Sequence, residues 1–160
     1  MASVQRTLES LARQSYLDYE VIVFDDCSTD GTSVAIDELA QKIKFRIIRP
    51  ERNIGMTAVH RSSLWKYIAI QGAGDVSLPR RLEAQVKFLD NNPDVCLVGC
   101  HYRNIVEDIS RFRVRTPDAA DMSIAQLIEN NVFSHGEVMF RKEAYVACGG
   151  TGLRFAIRRI

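Results

Sequence analysis

Hydrophobic residues recur along this chain in two rhythms. Val4, Leu8, Leu11 and Ala12 fall at i, i+4, i+7 and i+8, which predicts an amphipathic helix starting almost at the first residue. After a polar and aromatic link, Val21, Ile22, Val23 and Phe24 form an unbroken run, predicting a strand over 20–24. Such a run suits a strand buried on both faces, as in parallel sheets. Ala35, Ile36, Leu39, Ala40 and Ile43 give a second helix face, and 45–48 a short strand stopped by Pro50. Asn53-Ile54-Gly55 turns the chain into a helix ending near Leu64, before an apolar strand over 67–70. Ser77 is placed to cap the next helix, with Pro79 in its first turn. Leu82, Val86 and Leu89 form its inner face, and Asn91-Asn92-Pro93 ends it. Strands follow over 95–98 and 102–106, the second paired with the first. Beyond Asp108 the pattern weakens to a helix over 121–129, a strand over 137–140 and a helix over 142–147, broken by Gly149-Gly150.

This alternation predicts an α/β fold: a mostly parallel sheet flanked by helices, with 21–24, 67–70 and 95–98 as parallel buried strands. A chain of 160 residues supports one domain with a sizeable core. The net charge of +1 gives no electrostatic case for nucleic acid. No apolar run approaches the roughly 18 residues of a membrane span, and the first residues lack the apolar core of a signal peptide. Cys27, Cys96, Cys100 and Cys148 show no zinc-type pairing. Cys96 and Cys100 lie four strand residues apart, about 13 Å, too far for a disulfide. Buried thiols in a reduced, cytoplasmic setting are the expectation.

Two places carry candidate chemistry. Asp25 and Asp26 follow the first strand directly, and ligands of open α/β sheets sit just beyond the carboxyl ends of strands. The competing explanation is a solvated turn, with Thr29 or Asp30 capping the helix that follows. The second place is Gln71-Gly72-Ala73-Gly74-Asp75, at the carboxyl end of the strand over 67–70.

Taken together, these stretches resemble the family 2 glycosyltransferases of GT-A fold. The matching residues are Thr7-Leu8-Glu9-Ser10-Leu11, residues 19–32, Asn53-Ile54-Gly55-Met56, residues 67–82, Pro93-Asp94-Val95, and Val138-Met139-Phe140-Arg141 leading to Gly149-Gly150. They stand in family order over most of residues 4–150. The resemblance implies a Rossmann-like sheet, a nucleotide-sugar donor, and inversion at the anomeric carbon. It implies a saccharide, lipid-linked or protein acceptor, polysaccharide biosynthesis, and a place in the cytoplasm or at the inner face of the membrane. No nucleic-acid partner is expected.

Residue by residue, the acidic pair is carried over as the nucleotide contact, Asp25 with Asp26. Asp26 is assigned the base, since a carboxylate accepts from the imide N–H of a uracil or thymine. Asn53 and Gly55 match a turn before a helix whose N-terminus faces an anion; an ordinary glycine turn is the alternative. Arg61 is the candidate phosphate contact, although His60-Arg61 stands where the family has Arg-Asn, and a solvated helix charge competes. The family's Asp-x-Asp triplet aligns with Gly72, Ala73 and Gly74, leaving Asp75 as the one acid for a divalent ion (Mg or Mn). Asp75 is equally placed to stabilise the dipole of a helix over 77–90. The glycines, Gly74 among them, allow the backbone N–H groups to approach a diphosphate in place of metal. His135 matches a polar position near the sugar, with a structural hydrogen-bonding role as the alternative. Glu137 is a carboxylate without motif support, and no catalytic base is assigned.

Compared with the family, the first apolar strand with its base-covering loop is missing. So is an acidic segment after Gly149-Gly150 that carries the general base. The expectation is therefore a partial domain over 1–150, truncated at both ends, with an atypical tail over 151–160, inactive in transfer as this fragment. Two alternatives stand beside it. One is a non-catalytic nucleotide-binding remnant. The other is a receiver-like α/β module using Asp25 and Asp26, for which Lys66 and Lys142 are poorly placed.

Overall fold

The computed structural model describes residues 2–53, 65–103, 114–115, 135–147 and 149. The chain opens with α1 (Ala2–Leu11), then β1 (Ile22–Phe24), α2 (Thr32–Ala40) and β2 (Arg46–Ile48). The two strands pair in parallel, Ile22 opposite Arg46 and Phe24 opposite Ile48. Helix α2 is the crossover between them. It buries Ala35, Ile36 and Leu39, while Ala40 is exposed.

β3 (Tyr67–Ala69), α3 (Arg81–Asn91), β4 (Leu97–Val98), β5 (Tyr102–Arg103) and β6 (Val114–Arg115) follow. A 3-10 turn (His135–Glu137), β7 (Met139–Arg141) and α4 (Lys142–Ala147) come last. The second sheet runs β3-β7-β4, with β7 antiparallel to both neighbours. The predicted single parallel sheet is thus corrected. β1 lies in a separate two-stranded sheet, and β3 and β4 run the same way but are separated by an antiparallel strand. The pairing of 102–106 with 95–98 is also corrected, since β5 pairs with β6.

β7 takes the central position because it is apolar on both faces. Val138 and Phe140 join Ile70 and Tyr145 in one cluster, with the Phe140 and Tyr145 rings stacked at 5.1 Å. Met139 points to the other side and packs with Leu82, Val86 and Leu89 of α3, the period-2 alternation of a strand. Arg141 ties these parts together. It donates to the carbonyls of Leu89, Asn92 and Val95 at 2.7, 3.2 and 2.9 Å, and to the Tyr67 hydroxyl at 3.2 Å. The last carbonyls of a helix run short of helical donors; here Leu89 O and Asn92 O each take one backbone amide and a further donor from the Arg141 guanidinium.

Burial on both faces was expected for the first two core strands. Instead Ile22, Val23 and Phe24 are half-buried and Ala69 is exposed. The face of α1 also differs from the apolar pattern. Thr7, Leu8, Ser10 and, just past the helix, Gln14 are buried, whereas Ala12 is exposed. The polar residues of that face pack on a polar loop, and α1 also meets α2. Helix α3 begins at Arg81, four residues after the predicted cap Ser77. Ser77 is instead buried: its amide donates to Ser10 Oγ, and its hydroxyl meets Gln71 and Arg81. Cys27 and Cys96 are exposed free thiols, contrary to the expectation of burial, and Cys100 is half-buried and free. The helix over 53–64, residues 104–106 of the predicted strand, the helix over 121–129 and the tail lie outside the described residues.

Candidate functional site

The loop after β1 is built around Asp25. Its amide donates to Ile48 O at 3.0 Å, extending the parallel ladder by one residue. Its side chain is buried and both oxygens are occupied. Oδ1 accepts from the Ser28 amide at 3.1 Å, and Oδ2 accepts from the Ser33 hydroxyl and from Arg49 Nε at 3.2 Å. Arg49 is itself held by Asp37 at 2.8 Å and by the Ser33 carbonyl at 2.9 Å. The Ser33 hydroxyl, then the Ser28 contacts, then Arg49 hold the Asp25 carboxyl well below the usual carboxylate range. Asp25 therefore fastens the strand end, the start of α2 and the end of β2 to one another.

Asp26 stands next to this post and is half-buried. The chain then reverses at Cys27, whose φ of 68° is left-handed. Asn53 reaches the Asp26 carbonyl through Nδ2 at 3.5 Å. Of the two candidate caps, Asp30 accepts from the Thr32 amide at 3.1 Å. The N-cap itself is Gly31, left-handed and without a side-chain cap, so neither Thr29 nor Asp30 takes that position.

The loop after β3 is clasped by α1. Thr7 Oγ1 donates to Asp75 O at 2.8 Å and accepts from the Gly74 amide at 2.9 Å. Gln14 donates to Leu78 O at 2.9 Å and accepts from the Leu82 amide at 3.1 Å. Gly74 has φ of +106°, a conformation that favours glycine. Its amide is already engaged, and the Asp75 amide donates to Gly72 O at 3.1 Å. Among the described residues, the amides of Gly72 and Ala73 have no hydrogen-bond partner. Inside the loop, Arg81 donates to Gln71, Ser77, Gln85 and the Ile70 carbonyl. Burial pulls the Arg81 pKa down, against the raising influence of Cys100, Asp75 and Glu137.

A divalent ion on a diphosphate wants oxygen donors beyond the phosphates, usually carboxylates and waters. This loop offers one carboxylate, Asp75, with the Arg81 charge acting on it. Among the described residues no group of three His, Cys, Asp or Glu is placed to hold a metal ion. One carboxylate is a sparse set, which a divalent ion would complete with the substrate phosphates and waters. Nor is Asp75 a helix-start acid, because α3 begins at Arg81 and its first-turn acid is Glu83.

Of the residues predicted for the site, Asp25, Asp26 and Asn53 come together at the end of β1. Gly74 and Asp75 come together at the end of β3. The backbone of His135 opens the 3-10 turn whose Gly136 abuts Asp75. Glu137 is buried, and its carbonyl accepts from Gln85 at 2.8 Å. Gly55 and Arg61 lie outside the described residues. Sequence reasoning assigned no role to Thr7, Ser10, Gln14, Arg81 and Arg49. The spacing of Thr7, Ser10 and Gln14, at i, i+3 and i+7, is the signal that marks one polar helix face.

The sequence profile of Glycosyl transferase family 2 matches residues 2–156. The chain belongs to this family. It is 33% identical over 149 residues to the putative glycosyltransferase EpsE of Bacillus subtilis, covering 89% of this chain and 53% of that protein. It is 25% identical over 153 residues to the amylovoran biosynthesis glycosyltransferase AmsE of Erwinia amylovora, covering 92% of this chain and 57% of that one. The chain thus spans about half the length of these curated relatives. In fold it is similar to the mannosyltransferase PcManGT from Pyrobaculum calidifontis, solved with GDP-Man and Mn2+. The TM-score is 0.69 at 20% identity, over 99% of this chain and 46% of that one. It is also similar to S. aureus TarS 1-349 in complex with UDP, with a TM-score of 0.64 at 19% identity, over 92% of this chain and 45% of that one. The GT-A fold, a mixed α/β sheet flanked by helices, is that of the chain.

Proposed function

We propose that this chain binds a nucleotide-sugar donor and contributes the donor half of an inverting glycosyl transfer. The acceptor is a saccharide, a lipid-linked sugar or a protein, met in the cytoplasm or at the inner face of the membrane. The observation that carries the reading is the placement of the acidic pair at the carboxyl end of β1, where ligands of open α/β sheets sit. Asp25 is a buried structural post, and half-buried Asp26 stands beside it in the loop that Asn53 braces. EpsE and AmsE carry glycosyltransferase in their names, and PcManGT was solved with a nucleotide sugar. These support the donor class without naming the sugar.

In such a transfer an acceptor oxygen attacks the anomeric carbon, the bond to the diphosphate breaks, and the diphosphate leaves with the electron pair. The residues here serve three parts of that event. Asp26 accepts from a base imide and fixes the nucleotide. Asn53, against the Asp26 carbonyl, holds the loop that presents it. The unpartnered amides of Gly72 and Ala73 meet the charge on the diphosphate, a backbone device that needs no metal. The general base for the acceptor hydroxyl is not among these residues.

A second reading, nucleotide binding without transfer, is favoured by the single carboxylate at the β3 loop. A thermal-shift panel of nucleoside diphosphates and their sugars, with wild type and Asp26→Ala, tests donor binding. A transfer assay with and without Mn²⁺ separates the two readings. Turnover on the order of 1 s⁻¹ for this chain sinks the non-transferring reading. Stabilisation by no nucleotide sinks both.

A further inference from the structure

We propose that the space between β1 and β3 is a strand-acceptor slot, closed by an extended apolar segment of another polypeptide. Among the described residues each of these strands has one partner, β2 for β1 and β7 for β3. The ladder bonds show which backbone groups are left over. Arg46 N donates to Val21 O at 2.9 Å, and Asp25 N to Ile48 O at 3.0 Å. Val21, Val23 and Asp25 thus face β2, and the N–H and C=O of Ile22 and Phe24 point the other way. On the second sheet, Ile70 N donates to Val138 O at 2.9 Å and Lys142 N to Lys66 O at 3.0 Å. Lys66, Ile68 and Ile70 face β7, so the N–H and C=O of Tyr67 and Ala69 point away from it. None of these outward backbone groups has a hydrogen-bond partner among the described residues.

The two free edges face one gap. Glu20 and Trp65 stand at the same place ahead of β1 and β3, and Trp65 Nε1 donates to Glu20 at 3.2 Å. Both strands run against α1. Ahead of β1, Tyr19 donates to Leu11 O at the end of α1 at 2.6 Å, and beyond β3 the Gly74 amide donates to Thr7. Neighbouring strands lie about 4.8 Å apart, so two strands with room for a third stand about 10 Å apart. Two long side chains meeting end to end span that distance. These are not the wet edges of an ordinary outer strand, because Ile22, Phe24 and Tyr67 are half-buried. Half-buried backbone groups without partners are what an added strand satisfies. The chemistry of its side chains follows from its neighbours. Ile22, Val23, Phe24 and Ile68 are apolar, and cross-strand pairs of matching character stabilise a sheet. A filled slot also fixes the spacing of the Asp26 loop and the Asp75 loop, which leave the carboxyl ends of the two flanking strands.

The slot stands independently of the nucleotide-sugar reading, since no donor enters it. The test uses the whole chain and a capped peptide of alternating valine and isoleucine between terminal lysines. Calorimetric titration should show saturable binding. Hydrogen exchange should slow at least about tenfold at the amides of Ile22, Phe24, Tyr67 and Ala69 together. The same peptide N-methylated at every second residue keeps its side chains but loses the donors to one edge. It should bind at least about tenfold more weakly. Ala69→Pro removes one N–H facing the slot and leaves the β7 ladder through Ile68 and Ile70, so it should weaken peptide binding while β7 stays protected. Absence of saturable binding, protection of one edge alone, or indifference to N-methylation overturns the slot. Dimerisation of the peptide-free chain that protects the same four amides overturns the proposed occupant in favour of a second copy.

Discussion

Asp25 is buried and its neighbour Asp26 half-buried. Asp25 is enclosed by Ser28, Ser33 and Arg49, so its removal leaves Arg49 and two donors without their acceptor. Asp25→Ala is expected to cost about 2–4 kcal/mol of stability, measured by urea unfolding. The pH dependence follows from its lowered pKa. The folded value lies below the unfolded value of about 3.9, so the stabilisation is present above that value. It is lost only as pH falls through the folded value, in strongly acid solution. The stability difference between wild type and Asp25→Asn should therefore stay level from about pH 7 to pH 5 and shrink only well below that range. A difference already collapsing near neutral pH contradicts the assignment. The pair of carboxylates was legible in the sequence, at the end of a strand. Which of the two points inward was not, because that depends on Ser33 and Arg49, eight and 24 residues away.

Helix α1 shows how far periodicity reaches. The helix itself was legible from Val4, Leu8 and Leu11. Its inner face was not, because polar Thr7, Ser10 and Gln14 face a loop 64–68 residues further on. Buried polar groups with satisfied hydrogen bonds look, in sequence, like a solvated face. Thr7→Val keeps the shape but removes the donor to Asp75 O and the acceptor of the Gly74 amide. The expected loss is about 1–3 kcal/mol, with nucleoside diphosphate affinity falling as the β3 loop loosens. Thermal unfolding and calorimetric titration check the two effects separately. The late start of α3 has the same origin. Ser77 reads as a cap, yet its amide is taken by Ser10 of α1.

At the scale of the molecule, the α/β class, the order of the elements and the core face of α3 were legible from local pattern. The sheet partners were not. An apolar run shows that a strand is buried without showing which strand lies beside it, and β7 inserts between β3 and β4 from more than 40 residues away. Arg141 at the end of β7 secures that arrangement by donating to three carbonyls and the Tyr67 hydroxyl. Arg141→Leu removes these four hydrogen bonds from a buried junction and is expected to cost about 3 kcal/mol or more, read by chemical unfolding. The family match covers residues 2–156, and the described loops gather at the ends of β1 and β3. The β1 loop is proposed to hold a nucleotide through Asp26. Calorimetric titration of a nucleoside diphosphate into wild type and Asp26→Ala, with EDTA present, tests this. Saturable binding by wild type in EDTA is expected, weakened in Asp26→Ala by about 1.5–3 kcal/mol. Equal affinity in the two proteins, or binding by wild type only after metal is added, would contradict it.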